Sequence, residues 1–152
     1  MTEIHHEIIL PFTVEQMYKL VTDVEKYPEF LPYCSSLIVK SKKERASKTV
    51  SVAEMTVGYK LIKETLCCQI LEDIENFEVK THLISGPFSH LENIWMFESQ
   101  EEGGCKVVFN LDYRFSSKML EAIVGTAFDK FFSLFATSFE KRAYEIYQPL
   151  NV

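Results

Sequence analysis

From residue 104 to 115, Cys105, Val107, Phe109, Leu111, Tyr113 and Phe115 alternate with Lys106, Val108, Asn110, Asp112 and Arg114. A period of two sends neighbouring side chains to opposite faces of a strand, one face apolar and the other mostly wet. Leu91, Trp95 and Phe97 repeat the pattern over 89–99, with Asn93 as a polar interruption, and Glu101-Glu102-Gly103-Gly104 joins the two runs as a hairpin. Four further β-branched and aromatic runs, at about 36–43, 48–57, 59–71 and 76–84, lie between polar or Gly-bearing turns. Six successive strands predict a meander. Within 48–57 the apolar phase passes from Val50 and Val52 to Ala53, Met55 and Val57, which predicts a bulge there and a strongly bent sheet.

Helical spacing appears at both ends. An opening strand over 3–10 stops at Pro11, and Thr13 with Gln16 then forms a capping box, with Phe12 and Met17 placed as a hydrophobic staple, for a helix over 14–22. Val24 to Pro32 holds Pro28, Pro32, Tyr27, Phe30 and Leu31, too proline-broken for a long helix but suited to a short apolar flap. After Ser116 and Ser117, apolar residues from Leu120 through Phe128, Phe131, Phe135 and Phe139 to Ile146 mark an amphipathic helix over 118–147. Its thirty residues span roughly 45 Å, enough to cross the face of a sheet whose strands reach about 33 Å. Gly125 in its first third either lets another group approach closely or marks a bend.

A helix about 10 Å wide covers only part of such a sheet. The rest of the inner face must be filled by large side chains or by a ligand. Aromatic stripes serve both ends, so periodicity leaves a packed core and an apolar cavity open.

Composition narrows the chemistry. The 152 residues are 47% apolar and 13% aromatic, with twelve Phe, so the chain reads as a single domain over 1–152 with a substantial core. A net charge of −6 argues against broad attraction to nucleic-acid phosphate, DNA included. Cys34, Cys67, Cys68 and Cys105 form no CxxC pair, and His5, His6, His82 and His90 lack metal-ligand spacing. The amino terminus has no signal-peptide pattern, and no apolar run reaches membrane-span length, so a cytoplasmic protein with reduced thiols is expected. Glu54 and Glu64 sit inside strand patterns and could pair for acid–base work, yet neither a nucleophile elbow nor a phosphate loop accompanies them. Catalysis is therefore not expected. The basic stretch Lys40, Lys42, Lys43, Arg45 and Lys48 reads as a solvated hairpin or as an RNA- or membrane-phosphate surface, helped by Lys141 and Arg142 if the helix end lies nearby.

Several segments taken together resemble one family. They are Met17-Tyr18-x-Leu20-Val21-x-Asp23-Val24-Glu25-x-Tyr27-Pro28-x-Phe30-Leu31-Pro32-x-Cys34, Val57-Gly58-Tyr59, Glu64, Gly86-Pro87-Phe88-x-x-Leu91 with Trp95 and Phe97, and Phe139-x-x-Arg142-Ala143. In order and spacing these are similar to the coenzyme-Q-binding, START-like (polyketide cyclase-like) family, whose bacterial members include the ribosome association toxin. Tyr33 stands where many relatives carry Trp. The resemblance implies an α+β helix-grip (START-like, Bet v 1-like) fold, a seven-stranded antiparallel sheet wrapped around the long C-terminal helix. It implies binding of ubiquinone or a similar lipid in a tunnel between them, in support of respiratory electron transfer or quinone synthesis, with no required cofactor. Carried to matching positions, Leu31, Pro32, Val57, Tyr59, Phe88, Leu91, Trp95 and Phe97 would line or gate that tunnel. Phe128, Phe131, Phe135 and Phe139, taken from the helix periodicity, would face them. The toxin-named relatives imply a second partner, a ribosomal subunit whose joining the chain would block. Peripheral contact with the inner membrane is a third expectation.

Overall fold

The capping box closes as its spacing requires: the Gln16 backbone N–H donates to Thr13 Oγ1 at 3.0 Å, and the Thr13 N–H donates to Gln16 Oε1 at 2.9 Å. Phe12 and Met17, the staple pair, are both buried. The helix they start, α1 (Val14–Thr22), follows the first strand, β1 (Thr2–Leu10), and is followed by a short 3-10 helix over Val24–Glu29. The chain then runs through β2 (Cys34–Arg45), β3 (Lys48–Tyr59), β4 (Ile62–Asp73), β5 (Glu78–Ser85), β6 (Phe88–Ser99) and β7 (Cys105–Phe115) into α2 (Lys118–Ile146). The computed structural model describes residues 2–151.

One seven-stranded antiparallel sheet results, in the order β1-β7-β6-β5-β4-β3-β2. The meander from β2 to β7 is the predicted one, and β1 closes it beside β7 in an unbroken register from Thr2↔Tyr113 to Leu10↔Cys105. Helix α2 touches β1 and β7 near one edge and β3 and β4 near the other, so the sheet curls around it. Both helix boundaries fall within a residue of expectation, because capping and proline chemistry act locally.

The predicted bulge in 48–57 is misplaced. Strand β3 pairs with β4 without a register shift, and the bulges lie on its other neighbour, β2, between Cys34 and Ser36 and between Val39 and Ser41. The apolar phase does not change in β3. Buried Ser51 occupies the inward position between outward Val50 and Val52, a polar residue on the inner face that hides the alternation from a hydropathy reading.

The core is aromatic. Trp95 stacks on Phe97, meets Phe109 at 4.7 Å between ring centroids and meets Phe139 at 5.1 Å, and Phe135 stacks on Phe109 at 5.7 Å. Such offset and edge-to-face pairs add about 0.5–1.5 kcal/mol each beyond the area they bury. Gly125 lies over the Phe115 ring, where an added Cβ would come within 3.9 Å of it. At the other end of the sheet Gly104, with φ +87°, brings its backbone against Leu10, where a Cβ would stand 2.6 Å from the carbonyl oxygen. Among the described residues, no helix is long and apolar enough to cross a membrane.

Candidate functional site

A cavity lies between the concave face of the sheet, α2 and the 3-10 helix. Its floor comes from inward residues of five consecutive strands: Ala53 and Met55 on β3, Leu66, Cys68 and Ile70 on β4, Val79 and Thr81 on β5, Leu91, Asn93 and Trp95 on β6, and Phe109 and Leu111 on β7. Leu37 of β2 extends it, Phe132 and Phe135 of α2 form the roof, and Val24 and Tyr27 close one side. The cavity volume is about 70 Å³. It admits a small apolar group without rearrangement, and a longer chain only if the roof or the flap moves.

Polarity in this wall is confined and placed. Thr81 and Asn93 are register partners on β5 and β6, and the Asn93 amide donates to the Asn110 carbonyl at 2.9 Å. The Tyr27 hydroxyl is taken up by the Val21 carbonyl, and burial pushes its pKa up, so it stays neutral. Burial likewise pushes the Cys68 thiol up to about 12. The cavity therefore presents uncharged, mostly hydrocarbon surface to an occupant. Outside it, Arg142 clips the flap to the helix by an ion pair to Glu29 at 3.2 Å and by lying 5.3 Å from the centre of the Phe30 ring.

Of the twelve residues expected along a tunnel, Leu91, Trp95 and Phe135 stand in this wall. Leu31, Val57, Phe88, Phe97, Phe128, Phe131 and Phe139 are buried in the surrounding core. Pro32 is exposed, and half-buried Tyr59 packs edge-on against Tyr33 at 5.1 Å with Lys130 above its ring at 5.9 Å. Most of the wall, including Phe132, Ala53, Cys68, Thr81 and Asn93, lies outside the set that the sequence assigns to a tunnel. Alternation along the strands marks Ala53, Cys68, Thr81 and Asn93 as inward, and helical spacing marks Phe132, but which inward residues border empty space depends on how far the roof stands off.

Glu54 and Glu64 do not form a pair. Glu54 faces outward, opposite Cys67, in an ion pair with Lys40 at 3.4 Å, whereas Glu64 shares the inward phase of Leu66 and lies opposite Val57. Lys42 is engaged by Glu44 at 4.0 Å, and Arg142, offered as a helper of the basic stretch, is held by Glu29. Lys43 and Arg45 are exposed at the β2–β3 hairpin. The four cysteines are free. His6 faces inward from β1 with its Nε2 buried and without a hydrogen-bond partner among the described residues. His82 and His90 lie beside carboxylates, with His82 Nδ1 3.2 Å from Glu92 and His90 Nε2 3.2 Å from Asp112.

The chain is similar to known proteins along nearly its whole length. It is 34% identical over 150 residues to a ribosome association toxin of Vibrio cholerae, covering 97% of this chain and 99% of the toxin. It is 32% identical over 143 residues to a mitochondrial coenzyme Q-binding protein homolog of Xenopus laevis, covering 91% of this chain and 57% of that protein. A START superfamily protein of Mycobacterium smegmatis shares the fold, with a TM-score of 0.75 at 14% identity over 95% of this chain and 99% of its own. The sheet, its gripped helix and a family model matched across residues 10–140 agree: the chain belongs to the family described as polyketide cyclase / dehydrase and lipid transport.

Proposed function

We propose that this chain binds an apolar ligand, an isoprenoid quinone foremost, between the concave sheet and α2, and that it carries the ligand rather than transforming it. The observation behind this reading is the cavity itself, uncharged and bordered by Trp95, Phe109, Phe132 and Phe135. Its volume of about 70 Å³ sets the manner of binding. A prenyl tail must displace the flap or part of the roof, and each few hundred Å² of tail buried returns several kcal/mol at about 25 cal/mol per Å². The likeness to a coenzyme Q-binding protein supports the choice of ligand.

The chain's single tryptophan is Trp95, in the cavity wall, so its fluorescence reports occupancy directly. Quinone added to purified protein should quench it saturably, and lipid extracts of the protein should contain quinone. Ala53→Leu, which puts three more carbons into the cavity, should cost at most about 1–3 kcal/mol of stability while weakening quinone affinity, read from the quenching curve, about tenfold or more. A wild-type protein that neither carries lipid nor binds added quinone would remove the proposal.

A second reading rests on the likeness to the Vibrio cholerae toxin, named for ribosome association. In that reading the chain binds a ribosomal subunit through the β2–β3 hairpin and blocks subunit joining. Co-sedimentation with ribosomal subunits should then fall with rising salt and drop on charge reversal at Lys43 and Arg45. Salt-independent pelleting, or none, would exclude this surface.

A further inference from the structure

The outer face of the sheet carries a row that electrostatics alone disfavours. Glu92 of β6 lies directly opposite Asp112 of β7, and Asp112 lies directly opposite Glu3 of β1. Like charges in facing cross-strand positions destabilise a sheet. His82 of β5 faces Glu92 from the other side, and His90 shares the outward face two residues before Glu92. Arg114, opposite His90, brings a fixed positive charge to the group, and Lys80, diagonal to Glu92 on β5, is drawn toward Glu78 at 3.5 Å, against the three carboxylates.

We propose that His90, Glu92 and Asp112 ligate a divalent transition-metal ion, with His82 orienting Glu92 from outside the coordination sphere. The ligand atoms of the three all lie within 4.8 Å of one another. Zinc takes imidazole nitrogen and carboxylate oxygen at about 2.0–2.2 Å, which places donors around one ion roughly 3.5 Å apart. Small side-chain rotations close that difference, and the strands beneath are fixed by ladder hydrogen bonds on both sides. The donor set, one imidazole with two carboxylates, suits Zn²⁺ and its first-row neighbours better than Ca²⁺ or Mg²⁺, which favour all-oxygen shells. His82 Nδ1, 3.2 Å from Glu92 Oε1, supplies the outer hydrogen bond that metal-bound carboxylates commonly receive. The ion turns the Glu92–Asp112 repulsion into shared ligation, and the fourth position is left to water.

This site is separate from the cavity and stands or falls without it. The test titrates metal-free protein with Zn²⁺ by calorimetry and with Co²⁺ by visible absorption. One ion per chain is expected, with a low-coordinate Co²⁺ spectrum. His90→Gln and Asp112→Asn should each weaken binding about 100-fold or more, and His82→Ala about tenfold. His5→Gln, on the same outward face but bonded to Asn110, should change nothing. Zn²⁺ should also raise the melting temperature of wild type and not that of His90→Gln. Less than one ion per chain, no binding below about 100 μM Zn²⁺, or equal affinity in His90→Gln would overturn the assignment, leaving two ordinary histidine–carboxylate hydrogen bonds.

Discussion

The two faces of the same strands hold opposite chemistries at a spacing of one residue. Along β6, buried Leu91, Asn93, Trp95 and Phe97 alternate with half-exposed Glu92, Ile94 and Met96, and along β7 buried Phe109, Leu111 and Tyr113 alternate with Asn110, Asp112 and Arg114. The inner face is held by aromatic packing that water does not screen. The outer face is held by carboxylate, imidazole and ammonium contacts that it does. Stability should therefore reside inside, while the outside is free to carry charge-based recognition.

Truncation at the centre of the inner face should cost the most. Phe139 is 1% exposed and meets Tyr27, Phe30 and Trp95, each within about 5.1 Å, so Phe139→Ala opens a void under the flap as well as losing transfer energy. A loss of about 3–5 kcal/mol is expected in urea unfolding. Ile94→Ala on the outward face of β6 should cost about 1 kcal/mol. Equal losses at the two positions would mean that the outer face is covered by something other than solvent.

These residues also show what a sequence can and cannot reveal. Strict alternation in β7 and β6 marks their inward residues, and the capping box places α1 to the residue, because both signals act over a few neighbours. Register is not local. His82, Glu92 and Asp112 are spread over thirty positions and meet only through pairings fixed by turns elsewhere, so no spacing rule finds them. The hydropathy of 48–57 points to a bulge on β3 while the bulges lie on β2 for a related reason: a bulge is a mismatch between two strands, and composition describes one at a time. The cavity was legible as a shortage of cover for a wide sheet. Its wall was not, because Asn93 reads only as an interruption of an apolar pattern, and which inward residues border the void depends on the roof above them.

The second effect is an alkaline loss of stability to which the buried thiols of the inner side contribute. Burial raises the thiols of Cys34, Cys68 and Cys105 from 9.0 to about 11, about 12 and about 12. Each folded-state value exceeds the unfolded one, so the stability each contributes is fully present below pH 9 and fades as pH rises from 9 through the folded values. The unfolded chain releases its thiol protons first, which makes the slope of stability with pH negative in that window. Three thiols losing about 1 kcal/mol each between pH 9 and 10 give a drop of roughly 3 kcal/mol. Tyr18, Tyr27 and Tyr113, whose hydroxyls burial also pushes up, add to the same slope, so replacing Cys68 with Ala should shallow it by less than a third, and an unchanged slope would place the alkaline transition elsewhere.

The smallest effect is expected on the outer face, where the comparison is most exposed to failure. Lys40 Nζ stands 3.4 Å from Glu54 Oε1, with side-chain exposures of 50% and 37%. Two long side chains held in one geometry lose rotamer freedom, and water weakens their attraction, so a double-mutant cycle with Lys40→Met and Glu54→Gln should give a coupling of about 0.2–1 kcal/mol. Because the pair is screened, the coupling should shrink in about 0.5 M salt, whereas the cost of Phe139→Ala should not. A coupling above about 2 kcal/mol that survives salt would require a low-dielectric setting around Lys40. Lys40 lies at the second bulge of β2, where a residue without a partner across the ladder turns its side chain toward solvent, so only a molecule bound over that edge could provide one.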